Sequence, residues 1–262
     1  MKDIFTMWKY PKMITLTAIC AAIYAALLIP FKAVVIFSVE VRVATVIVPV
    51  MGILFGPAGA WGVAIGNLIG DFFGSMSVAS IFGFIANFFF AYVPYKVWYM
   101  VKGDVEPKTE NGKKIVRFLL GSLGGSLCDV CWLCFGVCAV FSQLPYPLFA
   151  SIIGVTNGLF PLVLGAAVLS LVGMRVKKWG LAFTSIMKPE DFNTNMKFNT
   201  LGLVFLIVAP LVAIVVSLIM SAQGTQVGTP LVWVSLPALI ISVIGSCIMG
   251  LSPDIFEKPE EE

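Results

Sequence analysis

Five polar side chains sit inside stretches that are otherwise apolar: Asn67, Asp71, Asn87, Asp129 and Asn157. Within a bilayer an ionisable side chain is expensive, about 2.5–3.5 kcal/mol for a central Asp on insertion scales, so such residues mark binding sites or ion paths unless a structural partner explains them. The structural reading of each Asn is an interhelical hydrogen bond that only ties the bundle together. The functional reading is that amides and carboxylates together supply the donors and acceptors that fix the polar edge of a small molecule. Asp129 is the hardest to explain by structure alone, because it falls near the middle of its apolar run. There it needs either a proton or a backbone or amide partner. Asp71 falls near the end of its run, at headgroup level. Either carboxylate could also carry a coupling proton in a secondary transporter, the competing reading.

A second constellation is the run Cys128, Cys131, Cys134 and Cys138 around Asp129. On a helix these thiols form one stripe, but ten residues at 1.5 Å rise extend over about 15 Å, too far to close round one ion. The stripe, with Cys20 and Cys247, reads as small polarizable packing residues, and no metal site is expected. The chain has no His, which excludes His-ligated zinc, His bases and haem His ligation. No phosphate-binding glycine loop with Lys and Ser/Thr is present, nor H-E-x-x-H or G-x-S-x-G. The expectation is therefore a protein that is not an enzyme, that uses no cofactor and that binds no nucleic acid.

The elements that carry these residues must be membrane helices. Of the 262 residues 59% are hydrophobic and 12% charged, against about 25% charged in a soluble domain. Apolar runs near 20 residues match about 30 Å of hydrocarbon, and they lack the alternation of barrel strands. The fold class expected is an all-α polytopic bundle with eight spans, near 13–31, 43–56, 58–73, 79–99, 116–140, 148–172, 201–221 and 232–250. The first reads as a span and not as a cleaved signal peptide. The second and third are short, and Phe55-Gly56-Pro57-Ala58-Gly59 between them predicts a tight turn. With the N-terminus cytoplasmic, every Lys and Arg except Lys32 and Arg42 falls inside, so both termini are expected in the cytoplasm of a cell-membrane protein. The organisation that follows is a six-span core over 1–178, a cytoplasmic linker over 179–200, and two further helices with an acidic tail over 201–262. In the outer loop Phe31–Val43, the alternation of Ser38, Glu40 and Arg42 with valines predicts a short extended segment.

This topology places the polar residues together. Asn67 lies mid-span, Asn87 about a third of the way down, Asp129 near the midplane, and Asn157 about 12–14 Å below the outer surface. All five could face one outward-open cavity. Phe72, Phe73, Phe84, Phe88, Trp132 and Tyr146 lie at similar depth, with Glu40 and Arg42 above them. In span one, Ala18, Ala22 and Ala26 form a small-residue stripe, which Thr17, Ala21 and Ala25 widen. Small stripes let helices approach closely in lipid, either a neighbour in the same chain or a partner.

The order of these features resembles the substrate-binding S components of energy-coupling factor (ECF) transporters. The resemblance rests on Ala18-x-x-x-Ala22-x-x-x-Ala26, an outer loop, Arg42, Pro49–Ala60 and Gly66-Asn67-Leu68-Ile69-Gly70-Asp71, within about the first 175 residues. It implies a six-span subunit that binds a vitamin or related heterocyclic micronutrient, such as a nucleobase-like precursor. It implies further that Ala18, Ala22 and Ala26 dock a transmembrane coupling protein joined to two cytosolic ATPase subunits, and that Phe31–Val43 covers the ligand. Asn67, Asp71, Asn87, Asp129, Trp132 and Asn157, with Glu40 and Arg42 closing over them, are the expected substrate contacts. The final two spans depart from the six-span pattern, and the missing His argues against nickel or cobalt as cargo.

Overall fold

The computed structural model describes residues 1–31, 42–74, 76–103 and 106–256, together with the backbone of 35–36 and 39–40. Lys32, Ser38, the side chain of Glu40 and the acidic tail 257–262 lie outside the described residues.

Ten α-helices are described: α1 (Asp3–Thr6), α2 (Pro11–Leu28), α3 (Val48–Phe55), α4 (Pro57–Phe72), α5 (Ser80–Trp98), α6 (Gly112–Cys134), α7 (Tyr146–Ile153), α8 (Phe160–Lys178), α9 (Asn199–Ala222) and α10 (Thr229–Ile248). Two π-helical segments, Phe135–Val140 and Gly154–Leu159, extend α6 and join α7 to α8 into one rod. The all-α polytopic bundle is thus borne out, and six of its helices are long and apolar enough to cross a membrane. The two expected short spans stay short: the apolar helical stretch Val43–Phe55 and the 16-residue α4. The turn between them is Gly56 alone, at φ +55°, a backbone region that only glycine enters freely. The only strands among the described residues are a two-residue antiparallel pair, β1 (Val35–Ile36) and β2 (Val39–Glu40), in the outer loop where extended structure was expected.

Glycines set how closely α2 and α4 approach. Gly62, Gly66 and Gly70 stack at i, i+4, i+8 on α4; a Cβ on each would stand 2.4 Å from Cys20 Cβ, 2.7 Å from Ala21 O and 2.5 Å from Leu28 Cδ2. The two small stripes of α2 therefore part company. Thr17, Ala21 and Ala25 bury against α4, whereas Ala18, Ala22 and Ala26 stay on the exposed face.

From α4 the packing passes to α5, then α6, then α9 and α10. The last two helices cross at Gly202 and Gly245, where a Cβ on Gly245 would stand 2.9 Å from Gly202 O. Asn199 at the start of α9 donates to the carbonyls of Met100 (2.8 Å) and Gly250 (3.0 Å), fixing both ends of the hairpin beside α5. At the other end, Gly228 N donates to Cys138 O and Tyr146 N to Gln226 O. The linker after α8 is docked as well: Phe183 stacks edge-on against Tyr95 and Tyr99, and Tyr10 donates to Asp191. The N-terminal segment, the linker and the segment after α10 thus gather at one end of the bundle.

Candidate functional site

At the opposite end, six segments converge on the polar residues. Asn67 and Asp71, one turn apart on α4, join through Asn67 Nδ2 donating to Asp71 Oδ2 at 3.3 Å. Arg42 reaches down from the base of the outer loop: its Nη1 donates to Asn67 Oδ1 at 2.7 Å, and Nη2 lies 3.8 Å from Asp71 Oδ1. The side chains of Arg42 and Asp71 are 12% and 6% exposed, so this pair is shielded from solvent screening. Gly83 on α5 makes room for it, since a Cβ there would stand 3.0 Å from Asn67 Nδ2.

Asn87 on α5 is held at both ends: Tyr24 of α2 donates to its Oδ1 at 2.9 Å, and its Nδ2 donates to Gly83 O at 2.9 Å. Tyr24 lies within electrostatic reach of Arg42, Asp129 and Asp71. On the far side, Asn157 Nδ2 donates to Asp129 Oδ2 at 2.7 Å, and Ser126 Oγ donates to Asn157 O at 2.7 Å. Asn157 belongs to the π-helical segment, whose extra residue per turn re-aims side chains and recurs at functional sites. The Thr45 hydroxyl, 2.6 Å from Arg42 O and 2.8 Å from Thr156 O, ties the outer loop's base to the same segment.

Asn67, Asn87, Asp129 and Asn157 are all fully buried. Most of their polar atoms are satisfied, but Asp129 Oδ1 and Trp132 Nε1 are buried with no hydrogen-bond partner among the described residues. One turn apart on α6, they share a face. Trp132 stacks nearly parallel on Phe89, 9° between planes at 6.1 Å, so its ring is held in place while its N–H is left over.

Of the residues expected from sequence, Arg42, Asn67 and Asp71 are joined in one group with Asn87 beside it through Gly83, and Asp129 and Asn157 are joined in another, while the side chain of Glu40 is outside the described residues. The other aromatics do not join them. Phe72 and Phe73 are exposed, because α4 ends there and turns them outward. Phe84 and Phe88 pack on Trp61 on the α4 side of α5, and Tyr146 is buried beside Cys134 and Ser217, toward the hairpin. Tyr24, Gly83, Ser126 and Thr156 were missed. The available signal for Tyr24 was its position on the face of span one opposite the Ala18 stripe. No group of three or more metal-ligating side chains is found among the described residues.

A bundle with six helices long and apolar enough to cross a membrane, enclosing a polar cluster that an Arg caps from the loop before α3, has the architecture of an integral membrane protein. The QueT transporter family model matches residues 14–174, more than half of the chain, and the chain belongs to that family. QueT transporters are S components of ECF transporters, so the sequence resemblance is borne out. No curated protein and no solved structure matches the chain. The family match stops inside α8, so α9 and α10 lie beyond it.

Proposed function

We propose that the chain takes up a queuosine precursor, the substrate associated with QueT S components, through the cluster just described. The observation that carries this reading is the unmet pair Asp129 Oδ1 and Trp132 Nε1. Leaving a buried donor or acceptor unmade costs about 1–3 kcal/mol each, a cost that a bound ligand would remove. A carboxylate only accepts and an indole N–H only donates. Side by side they complement a heterocycle that offers ring or amine N–H groups next to an acceptor atom, as a guanine-like base does. Asn67, Asp71 and Asn87 line the other side of the ligand. Glu40 and Arg42 close over it, Arg42 by exchanging part of its hold on Asn67 and Asp71.

Two further parts belong to the same proposal. The exposed Ala18, Ala22 and Ala26 face docks a transmembrane coupling protein that carries two cytosolic ATPases; burial of the neighbouring Thr17 stripe leaves this smooth face to a partner outside the chain. Both termini are cytoplasmic, which places the basic end of the bundle inside. In this reading residues 1–178 form the ligand-binding core, 179–200 a linker, and 201–262 an added unit.

The test is equilibrium binding of a radiolabelled deazaguanine precursor to the purified protein, with guanine and unrelated vitamins as competitors. Saturable binding resisted by vitamins supports the substrate. Binding of a vitamin instead would refute the substrate while leaving the S-component class intact. Uptake in cells then separates energy sources. Loss on deleting the ATPases, and on replacing Ala22→Trp with binding retained, fits the ECF assembly. Uptake that survives this deletion but stops with an uncoupler would return the assignment to proton coupling at Asp129 or Asp71.

A further inference from the structure

A cavity of about 440 Å³ opens at the basic end of the bundle between the end of α5, the first turns of α6 and the start of α9. Its size is that of a small-molecule site, about 300–1,000 Å³, but its walls differ from those of the ligand cluster. Met100, Val116, Leu120 and Leu203 make it apolar, while Lys113 and Arg117 stand at its edge. Val116 and Leu120 are exposed outward, toward lipid, along a face about 10 Å long from Lys113 to Leu120.

Lys113 is set up differently from its neighbours. Lys108 and Lys114 both hold Glu110, at 2.8 and 3.2 Å, and Lys114 is turned into the protein. Lys113, beside Lys114 in the first turn of α6, is exposed. Arg117 is steadied over the Trp98 ring at 5.7 Å and directs one N–H to Trp98 O at 3.4 Å, which fixes its plane at the rim of the groove. The third wall depends on α9, whose start is pinned by Asn199 to Met100 O. The groove is thus completed by a helix beyond the family match.

We propose that this groove binds an anionic phospholipid, its phosphate on Lys113 and Arg117 and one acyl chain along Val116, Leu120 and Leu203. Charge complementarity selects the headgroup: basic pockets between helices at a membrane face hold anionic lipid, and a charge-assisted contact to phosphate is stronger than a neutral one. The apolar walls select a lipid over a soluble phosphate, which would leave them wet. The lipid then joins the core helices α5 and α6 to the added hairpin, giving α9 a role that the ligand site does not.

The experiment is native mass spectrometry of the full chain, released from detergent with phosphatidylglycerol or phosphatidylcholine titrated in. The expected result is one retained phosphatidylglycerol, bound about thirtyfold more tightly than phosphatidylcholine, two cations' worth of selectivity. This preference disappears in Lys113→Gln/Arg117→Gln. A second variant, Val116→Trp, keeps both cations but fills the groove, and it too loses the retained lipid. Equal retention of both lipids by the unaltered chain overturns the proposal, as does a phosphatidylglycerol preference that persists in the double variant. Retention in Val116→Trp alone overturns the acyl-chain groove. Matching unfolding temperatures in lipid-free detergent show that the variants are folded.

Discussion

Two fully buried aspartates, one at each end of the bundle, are treated in opposite ways. Asp3, where the N-terminal segment tucks under α5, accepts hydrogen bonds from Tyr95 at 2.9 Å and Tyr92 at 3.2 Å, and the buried Lys96 acts on it through space. Asp129 has one amide on one oxygen and nothing among the described residues on the other. A carboxylate surrounded by donors is a structural fixture. One that is half satisfied, beside an indole whose N–H has no partner among the described residues, is what the proposed ligand contact requires. Burial alone does not distinguish them; the count of partners on each oxygen does.

The comparison is broken most directly at Asp3. Asp3→Asn removes the charge that acts on the buried Lys96 through space and that holds Tyr92, Tyr95 and the N-terminal ammonium, and a hydrogen bond to a charged group is worth about 1.5–3 kcal/mol. Thermal unfolding in detergent should fall accordingly, while ligand affinity of the folded fraction stays the same. Asp3→Asn/Lys96→Met should recover most of the loss. If Asp3→Asn weakens ligand binding with stability unchanged, the roles assigned to the two ends are reversed.

Asp129→Asn should do the converse. It keeps the shape and the partnership with Asn157 but loses a charged acceptor, worth about 1.5–3 kcal/mol. Precursor affinity should drop about ten- to hundredfold by equilibrium binding, with unfolding little changed. An affinity within twofold of the unaltered chain would remove Asp129 from the site.

Acid sharpens the contrast further. Burial pushes the Asp3 carboxyl up, but Lys96, the N-terminal ammonium and the two tyrosine hydroxyls outweigh it and hold it below the ordinary value. A carboxyl whose value is lower folded than unfolded stabilises fully above the unfolded value, about 3.9. That stabilisation is lost as pH falls through this value toward the folded one. The unfolding temperature should therefore decline on acidification below about pH 4, and Asp3→Asn should flatten that part of the curve. An equally steep decline in the variant would show that other carboxylates govern it.

What the sequence made legible follows the physics of each signal. Helices and their order were readable because hydrocarbon thickness dictates run length and intramembrane charge is rare. The polar residues stood out for the same reason, and Arg42, Asn67 and Asp71 meet in one group as Asp129 and Asn157 do in another. The partition of α2 into a buried Thr17 face and an exposed Ala18 face was not readable, since both are small-residue stripes. Only the glycine ridge of α4 chooses between them. Asp3 escaped notice because a charge near a chain end reads as solvated, and its burial depends on Tyr92, Tyr95 and Lys96 nearly a hundred residues away. Tyr24 escaped because a tyrosine in an apolar run reads as core until its hydroxyl is seen to meet Asn87.

The smallest expected effect tests how closely the ligand cluster is set. Gly83 lies on α5 directly over the Asn67 amide, and an added Cβ would stand 3.0 Å from Nδ2 and 3.7 Å from Asp71 Oδ2. The first distance requires a shift of a few tenths of an ångström, and Asn67 is tethered to Arg42 at 2.7 Å. Gly83→Ala also favours the helix by about 1 kcal/mol relative to glycine, so stability should hold or rise slightly. Affinity should fall about threefold, because the displaced amide carries Arg42 with it. That opposite movement of stability and binding sets this variant apart from Asp3→Asn, which lowers stability and spares binding. If Gly83→Ala instead lowers stability and leaves affinity alone, the Arg42–Asn67–Asp71 group belongs with Asp3 as scaffold, and the ligand cluster narrows to Asp129, Trp132 and Asn157.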